Sequence, residues 1–268
     1  AEDHEVERGE VEFDHVYFQY RKDAPEYILS DVSLKIPAGS TFGIIGQTGS
    51  AKSTLIQLIP RLYDATKGEV RIDGIPVKKY KVEHLRDAIA VVLQKNTLFS
   101  GTILDNLRWG NPDATDEEVL AAAKKAQCME FLARLPQGIH TMAGDGGKQL
   151  SGGERQRISL ARAILKDAPI VVLDEATAFM DPENEEKMNA AIAEIIKGKT
   201  VIVIAHRLHS IVNADQICVL DNGRVAGIGR HEALLESCPE YAKLWKAAEG
   251  SAAWGVTANA ALEGGDIQ

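Results

Sequence analysis

Apolar and polar positions alternate along the first part of the chain. The alternation covers residues 11–18 and 32–36 and predicts two strands, each with one buried face. A short apolar run at residues 41–45 predicts a buried strand, and the apolar spacing becomes that of a helix from Lys52 onward. The pattern therefore predicts two half-exposed strands followed by a strand–loop–helix unit.

Five further apolar segments are predicted to be strands, at residues 69–73, 88–93, 170–174, 200–205 and 216–220. Helical patterns lie between them, above all at residues 116–125 and 154–165. Short buried strands that alternate with helices predict an α/β fold around a parallel sheet. The long helical stretch, from about residue 95 to 165, is predicted to be an insertion packed beside that sheet.

Composition indicates a soluble globular protein. The 268 residues are 45% hydrophobic and 26% charged, enough for one large domain or two small ones. We expect a charged linker at residues 1–10, one domain at 11–250 and a flexible, small-residue-rich tail at 251–268. No apolar run approaches the roughly 20 residues that span a bilayer. The first methionine is Met129, which indicates a piece of a longer polypeptide.

Charge and cysteine content limit the function classes. The formal net charge of −9 argues against an extended nucleic-acid surface, because such a surface needs clustered Lys and Arg. Cys128, Cys218 and Cys238 are odd in number and lie far apart, without the spacing of a metal site or a disulfide framework. We predict three buried thiols in a reducing compartment.

The segment GQTGSAKST, residues 46–54, is typical of a loop that binds phosphate. It follows a predicted strand and opens a predicted helix, so backbone N–H groups and a helix N-terminus would face a bound polyanion. Lys52 would reach the β- and γ-phosphates of a nucleotide, and the Ser53 hydroxyl would bind Mg²⁺. The predicted nucleotide-binding residues of this loop are Gly46, Gln47, Thr48, Gly49, Ser50, Ala51, Lys52, Ser53 and Thr54.

Ala51 stands where the loop pattern has its second glycine. Alanine keeps the backbone N–H that donates to phosphate. A left-handed backbone here would cost about 1–2 kcal/mol, whereas a place in the first helical turn would favour alanine by up to ~1 kcal/mol. Both effects are smaller than several charge-assisted hydrogen bonds at ~1.5–3 kcal/mol each. We therefore expect the loop to bind nucleotide; a tight strand–helix turn without a ligand is the alternative.

Two further segments carry candidate chemistry. Residues 170–175, IVVLDE, predict a strand that ends in two carboxylates. Asp174 would hold Mg²⁺ through water and Glu175 would be the general base for an attacking water, unless the pair simply caps a turn. Residues 149–157, QLSGGERQR, place a hydroxyl and free N–H groups at a helix start. This arrangement suits a second anion or, alternatively, is a helix cap formed by Ser151.

The phosphate loop, LSGGE, VVLDE and the AHR at residues 205–207 follow one another in the order of the ATP-binding-cassette ATPases. The chain resembles this family over residues 11–250. The resemblance implies a P-loop NTPase (RecA-like) α/β core with a parallel sheet, an N-terminal antiparallel β subdomain and an inserted α-helical subdomain. It also implies ATP and Mg²⁺ as cofactors and ATP hydrolysis as the activity.

The resemblance gives catalytic roles to matching positions. Tyr20 resembles the aromatic residue that stacks on adenine. Gln94 resembles the glutamine that contacts Mg²⁺ or the lytic water, and His206 resembles the histidine that contacts the γ-phosphate. With Glu175 as base, the implied catalytic residues are Glu175, His206 and Gln94, and the implied metal ligands are Ser53, Gln94 and Asp174. Strand packing for Tyr20 and an exposed loop position for Gln94 are the structural alternatives.

Other matching positions imply a dimer. Ser151, Gly152 and Gly153 would grip the γ-phosphate bound to the loop of a partner domain. Asp181 resembles the aspartate that communicates across the dimer. The implied partner is a second nucleotide-binding domain of the same or a related chain.

Two segments resemble the exporter branch in particular: LFSGTILDNLRWG at residues 98–110 and the run GDGGKQLSGG. The first lies near the contact with the membrane domain in that branch. The resemblance implies a transmembrane domain fused upstream. It also implies that the domain acts at the cytoplasmic face of a membrane, such as the bacterial inner membrane, to power export.

Departures from the family pattern leave alternatives open. Besides Ala51, Asp145 stands where glutamate is usual, and ATAFMD at residues 176–181 replaces an S-A-L-D ending. A catalytically silent ATP-binding half of an asymmetric heterodimer is therefore one alternative, although Glu175 and His206 are intact. A soluble cassette ATPase of DNA repair or translation is another, which the acidic charge and the single cassette disfavour.

Overall fold

The computed structural model describes residues 2–47, 51–93, 97–144, 150–174 and 182–250. These residues form ten strands: β1 (Val11–Phe18), β2 (Leu29–Ile36), β3 (Thr41–Gly46), β4 (Lys67–Ile72), β5 (Ile75–Pro76), β6 (Ile89–Val92), β7 (Ile170–Asp174), β8 (Thr200–Ile204), β9 (Gln216–Asp221) and β10 (Arg224–Gly229). Their helices are α1 (Lys52–Gln57), α2 (Val82–Asp87), α3 (Ile103–Arg108), α4 (Asp116–Lys125), α5 (Met129–Arg134), α6 (Gly152–Lys166), α7 (Pro182–Ile196), α8 (His231–Ser237) and α9 (239–250).

The strands build two sheets. An antiparallel sheet has the order β2-β1-β4-β5, and a larger sheet has the order β10-β9-β3-β8-β7-β6. In the larger sheet β9, β3, β8, β7 and β6 run parallel, and β10 is antiparallel to β9. The predicted α/β class, the parallel sheet and the N-terminal antiparallel β subdomain are confirmed. Helices α3 to α6 lie in the stretch for which an inserted helical subdomain is predicted.

The central parallel strands β3, β7 and β8 are buried on both faces, as expected when helices or a second sheet cover each face. Ile44, Val172 and Ile202 face a cluster that also contains the apolar residues of the antiparallel sheet and of α1. Val171 and Val201 face the opposite cluster, which contains the buried residues of α4, α5 and α6. The short continuous apolar runs of the sequence therefore correspond to strands with two apolar faces.

The three cysteines are buried free thiols, as predicted. Burial raises the pKa of both Cys128 and Cys218 to about 12. These side chains therefore act as small apolar core residues. Among the described residues, none of the helices is both long enough and apolar enough to cross a bilayer.

Residues 2–10, for which the sequence predicts a solvated linker, lie against the folded domain instead. Gly9 is buried, Val6 packs against the first apolar cluster, and the backbone of residues 7–10 donates hydrogen bonds to Asp73. Local composition could not reveal this because the partner carboxylate is distant in sequence. The domain boundaries stay a prediction, and the predicted tail, 251–268, lies outside the described residues.

The β9–β10 hairpin joins the two sheets. Its turn residues Asn222 and Gly223 have positive φ angles of 49° and 74°, as a two-residue type I′ hairpin requires. The Gly223 carbonyl oxygen accepts a 2.9 Å hydrogen bond from the backbone N–H of Ser30, at the start of β2. The hairpin tip thus packs directly on the backbone of the antiparallel sheet.

Replacing Gly223 with alanine should destabilise the fold more than the same change at Gly39. Both glycines have left-handed backbones, with φ of +74° and +75°, so alanine costs about 1–2 kcal/mol at each. A Cβ on Gly223 would also lie 1.9 Å from the Ile28 carbonyl oxygen, whereas one on Gly39 would meet nothing within 4 Å. We expect urea denaturation to show at least twice the loss for Gly223→Ala. Equal losses would contradict the packing of the hairpin on β2.

Candidate functional site

The carboxyl ends of three neighbouring parallel strands meet at one edge of the larger sheet. β3 pairs with β8, and β8 pairs with β7, so that Ile44 and Asp174 both lie opposite Ile204. Gly46 ends β3, and His206 follows β8 after Ala205. The start of the phosphate loop, the metal candidate and the histidine candidate therefore share one edge, which is where ligands bind in open α/β sheets.

The side chain of Lys52, the first residue of α1, is folded back toward the end of β3. Its Nζ donates a 2.8 Å hydrogen bond to the Gly46 carbonyl oxygen. Burial lowers the pKa of Lys52, and the negative charge of Asp174 opposes that shift. The ammonium is thus part-buried and directed at the loop, where phosphate oxygens could replace the carbonyl as its acceptor.

Ala51 adopts the left-handed backbone, with φ 72° and ψ 23°, at the N-cap of α1. Of the two conformations considered from the sequence, the strained one is present. Ala51 makes no side-chain cap hydrogen bond, and its carbonyl oxygen accepts from Leu55 N–H at 3.1 Å. The helix therefore starts normally, and the cost of the missing glycine is local strain of about 1–2 kcal/mol.

Asp174 and His206 are in contact. His206 Nε2 lies 3.1 Å from Asp174 Oδ1, and their side chains are 46% and 19% exposed. The Asp174 carboxylate and the Ser53 hydroxyl are hard oxygen donors of the kind that Mg²⁺ prefers. Two protein donors suffice for a Mg²⁺ ion that keeps water and phosphate as its remaining ligands. The donor set therefore fits the predicted metal.

Tyr20 is fixed against the start of α1. Its hydroxyl lies 3.1 Å from Thr54 Oγ1 and 3.3 Å from Gln57 Oε1. Its ring packs edge-on against Phe18 and Tyr63, with centroids 4.8 and 5.0 Å away. The side chain is still 50% exposed. An oriented aromatic ring with a free surface beside the phosphate loop suits a nucleobase.

Ser151 caps helix α6. Its Oγ accepts from Glu154 N–H at 3.1 Å, and Glu154 Oε1 accepts from Ser151 N–H at 2.9 Å, which is a complete capping box. The helix begins at Gly152, two residues before the predicted start at residue 154. The helix-cap interpretation of this segment is thus correct within one chain, and the predicted contact with a partner's phosphate stays a prediction.

Among the described residues, the two glycines after Ser151 have room for a side chain. In the part of the chain that the structure describes, a Cβ on Gly152 would meet nothing nearer than 3.9 Å, and one on Gly153 nothing nearer than 3.5 Å. Neither glycine has a left-handed φ. Alanine would be favoured over glycine by up to ~1 kcal/mol at a helical position. The described residues therefore give no reason for glycine at either place.

Several predicted site residues lie outside the described residues, so their roles stay predictions: Thr48, Gly49, Ser50, Gln94, Glu175 and Asp181. The structure brings Gly46, Lys52, Asp174 and His206 together at the sheet edge. Sequence reasoning missed Tyr63 and Gln57, which hold Tyr20. No local pattern marks them, because the contacts form between distant segments.

Comparison with known proteins decides the family. The model of the ABC transporter family matches residues 29–178. The chain belongs to the ABC transporter family. Over 239 residues it is 45% identical to an ATP-dependent lipid A-core flippase of Legionella pneumophila (strain Paris), covering 89% of this chain and 40% of the relative. It is also 46% identical over 238 residues to the putative multidrug export ATP-binding/permease protein YgaD of Bacillus subtilis (strain 168), covering 89% and 41%.

A solved structure agrees with these relatives. The structure of a bacterial Atm1-family ABC exporter with ATP bound superposes with a TM-score of 0.85 at 41% identity, covering 92% of this chain and 43% of that one. The predicted P-loop NTPase fold and the exporter-type nucleotide-binding domain are thereby confirmed. It spans about 40% of the length of the curated relatives that it matches.

Replacing Ala51 with glycine should stabilise the ABC domain. The change relieves about 1–2 kcal/mol of strain and costs about 0.4–1 kcal/mol because the unfolded chain gains entropy. The net gain in the free energy of unfolding is therefore between about 0 and 1.6 kcal/mol. The control is Ala121→Gly on the exposed face of α4, which should cost about 1 kcal/mol. Urea denaturation and a Mg-ATP titration measure both variants. A destabilised Ala51→Gly variant would show that the backbone at residue 51 is not left-handed in solution.

Proposed function

We propose that two nucleotide-binding domains, of the same or a related chain, pair head-to-tail around two Mg-ATP molecules. Each phosphate loop would face the Ser151–Gly153 segment of the partner. Closure of the pair and hydrolysis of ATP would power export through membrane domains fused upstream of each chain. The relatives' printed names, a lipid A-core flippase and a multidrug export protein, support this direction of transport.

The exposed start of α6 is the observation that supports the proposed pairing of two domains. Ser151 and Gly152 are exposed, and Gly153 has room for a Cβ. A helix N-terminus attracts anions. Glycine is required when another molecule must approach the backbone closely. Since no described residue of this chain makes that approach, a phosphate held by a second domain accounts for both glycines.

The chemistry proposed for each half of the site follows from its own side chains. Lys52 would exchange the Gly46 carbonyl for phosphate oxygens, and His206 would exchange part of its contact with Asp174 for the γ-phosphate. Mg²⁺, when bound by Ser53 and Asp174, would neutralise charge that develops on the β- and γ-phosphates. Glu175 would orient and deprotonate the attacking water. Most of the rate enhancement would come from positioning and electrostatics.

An exposed aromatic pair supports a partner on the membrane side. Phe99 and Trp109 stack with centroids 4.5 Å apart and are 48% and 63% exposed. Buried Asn106 holds the segment through both the N–H and the carbonyl of Phe99. Arg162 of α6 donates to Asn106 at 2.7 and 2.8 Å. The aromatic pair is thus rigidly attached to α6. An exposed, rigidly held apolar pair suits a docking surface for the upstream membrane domain at the cytoplasmic face of a membrane.

Replacing Glu175 with glutamine should abolish turnover but keep binding. We expect ATP hydrolysis per chain to rise with protein concentration in the unmodified domain, because two chains complete each site. The Gln variant should lose about 10²–10⁴-fold of the rate while binding Mg-ATP with similar affinity. Steady-state phosphate release and equilibrium nucleotide titration measure the two properties. Tight binding without turnover in the unmodified domain would favour the catalytically silent alternative.

Replacing Gly153 with alanine should lower the rate of ATP hydrolysis and leave the stability of the domain nearly unchanged. The unfolding free energy should change by less than about 1 kcal/mol, because Ala fits the helix start, and ATP binding to single chains should persist. Hydrolysis should fall by at least about tenfold, because the added methyl group would lie where the partner's γ-phosphate approaches.

Gly229→Ala is the matched control for this test. It also lacks a left-handed φ, and its Cβ would meet nothing nearer than 3.7 Å. This variant should keep both stability and activity. Full activity of Gly153→Ala would exclude the proposed contact.

A further inference from the structure

Asp73 is bonded to four consecutive backbone N–H groups of the N-terminal segment. Its Oδ2 accepts from Glu7 and Arg8 at 2.8 and 2.9 Å. Its Oδ1 accepts from Gly9 and Glu10, both at 2.9 Å. The backbone N–H of Asp73 donates in return to the Glu10 carbonyl oxygen at 2.8 Å. One carboxylate at the end of β4 thus fixes the path of residues 7–10.

The carboxylate is held in its charged form. Burial by itself raises the pKa of Asp73, but the four backbone donors outweigh this effect and the pKa lies below its ordinary value. Hydrogen bonds from N–H groups to an ionised acceptor are stronger than neutral ones. The contact is therefore charge-assisted at neutral pH.

Further contacts continue along the same segment. The Glu2 N–H donates to the Lys79 carbonyl oxygen at 2.8 Å, and Asp3 forms a 3.0 Å ion pair with Lys81. Gly9 has φ +89°, and a Cβ there would lie 3.1 Å from both Ile170 Cγ1 and Thr200 Oγ1. The segment thus touches the antiparallel sheet at one side and the first residues of β7 and β8 at the other.

The contact of Gly9 with Ile170 and Thr200 lies at the ends of β7 and β8 opposite to those that carry the site. β7 begins at Ile170 and ends at Asp174, and β8 begins at Thr200 and leads into His206. We propose that residues 2–10 form a strap that transmits movement between the upstream membrane domain and these two strands. Asp73 is the positioning residue that holds the strap in place. We call its hydrogen bonds with the backbone of residues 7–10 the latch. The proposal rests on the proposed function, because it assumes a membrane domain upstream.

Asp73→Asn is the variant that tests the latch in this chain. Asn tolerates the left-handed backbone of Asp73, φ 53°, but its amide nitrogen cannot accept the N–H bonds. The matched control is Asp31→Asn, at φ 48°, whose carboxylate contacts exposed His15 and not the strap. Neither residue belongs to the nucleotide site.

Hydrogen exchange read by mass spectrometry measures the latch directly. We expect the amides of residues 7–10 to exchange at least about tenfold faster in Asp73→Asn than in the unmodified chain or in Asp31→Asn. ATP hydrolysis by the same variant should stay within about twofold of the unmodified rate. Equal exchange in all three proteins would overturn the latch, and loss of hydrolysis would overturn its role in transmission.

The second experiment uses the polypeptide with its membrane domain. Spin labels on the membrane helices of two copies report their separation with and without Mg-ATP and vanadate. We expect the nucleotide-driven change in distance to be lost in Asp73→Asn and kept in Asp31→Asn, with nucleotide bound in both. A change that persists in Asp73→Asn would overturn the proposal. If the unmodified protein does not hydrolyse ATP, the proposed function is refuted. The latch is tested separately, because the hydrogen-exchange experiment does not depend on ATP hydrolysis.

Discussion

The parallel pairing of β3, β8 and β7 is the constraint on which the site depends. Because these strands run in one direction, their carboxyl ends bring the phosphate loop, Asp174 and His206 to one edge. A shift of register by one residue would move every side chain to the other face of the sheet. The two apolar clusters on opposite faces prevent such a shift, so core packing fixes the geometry of the catalytic edge.

The polar groups of the site have partners inside the chain. Lys52 is bonded to the Gly46 carbonyl, and His206 to Asp174. These contacts keep part-buried charges satisfied when no phosphate is present. Nucleotide binding then exchanges one set of hydrogen bonds for another, so the net gain in affinity is smaller than a count of phosphate contacts suggests.

The sequence predicted the fold well where apolar periodicity was strong. β1, β7 and α4 have the predicted bounds, because their patterns are regular and their ends carry turn or capping residues. β10 was missed since its glycines, Gly227 and Gly229, weaken the strand signal.

The candidate site was predicted only in part. Its motifs identified Lys52, Asp174 and His206. For the backbone of Ala51 the sequence left two conformations open, left-handed or helical, and could not decide between them. The strap and the residues that hold Tyr20 could not be predicted. Each depends on long-range contacts, such as those of residues 7–10 with Asp73, that leave no local pattern.

The docked β9–β10 hairpin has a consequence for how this domain can vary. Exposed hairpin tips usually accept insertions and fusions. Here the Gly223 backbone contacts Ser30 and Ile28, so extra residues at this tip would separate the antiparallel sheet from the larger one. The turn before β8 offers more room, because a side chain on Gly198 would meet nothing within 4 Å. Lineages that lengthen this domain, and engineers who attach a probe, have space at Gly198 and none at Gly223.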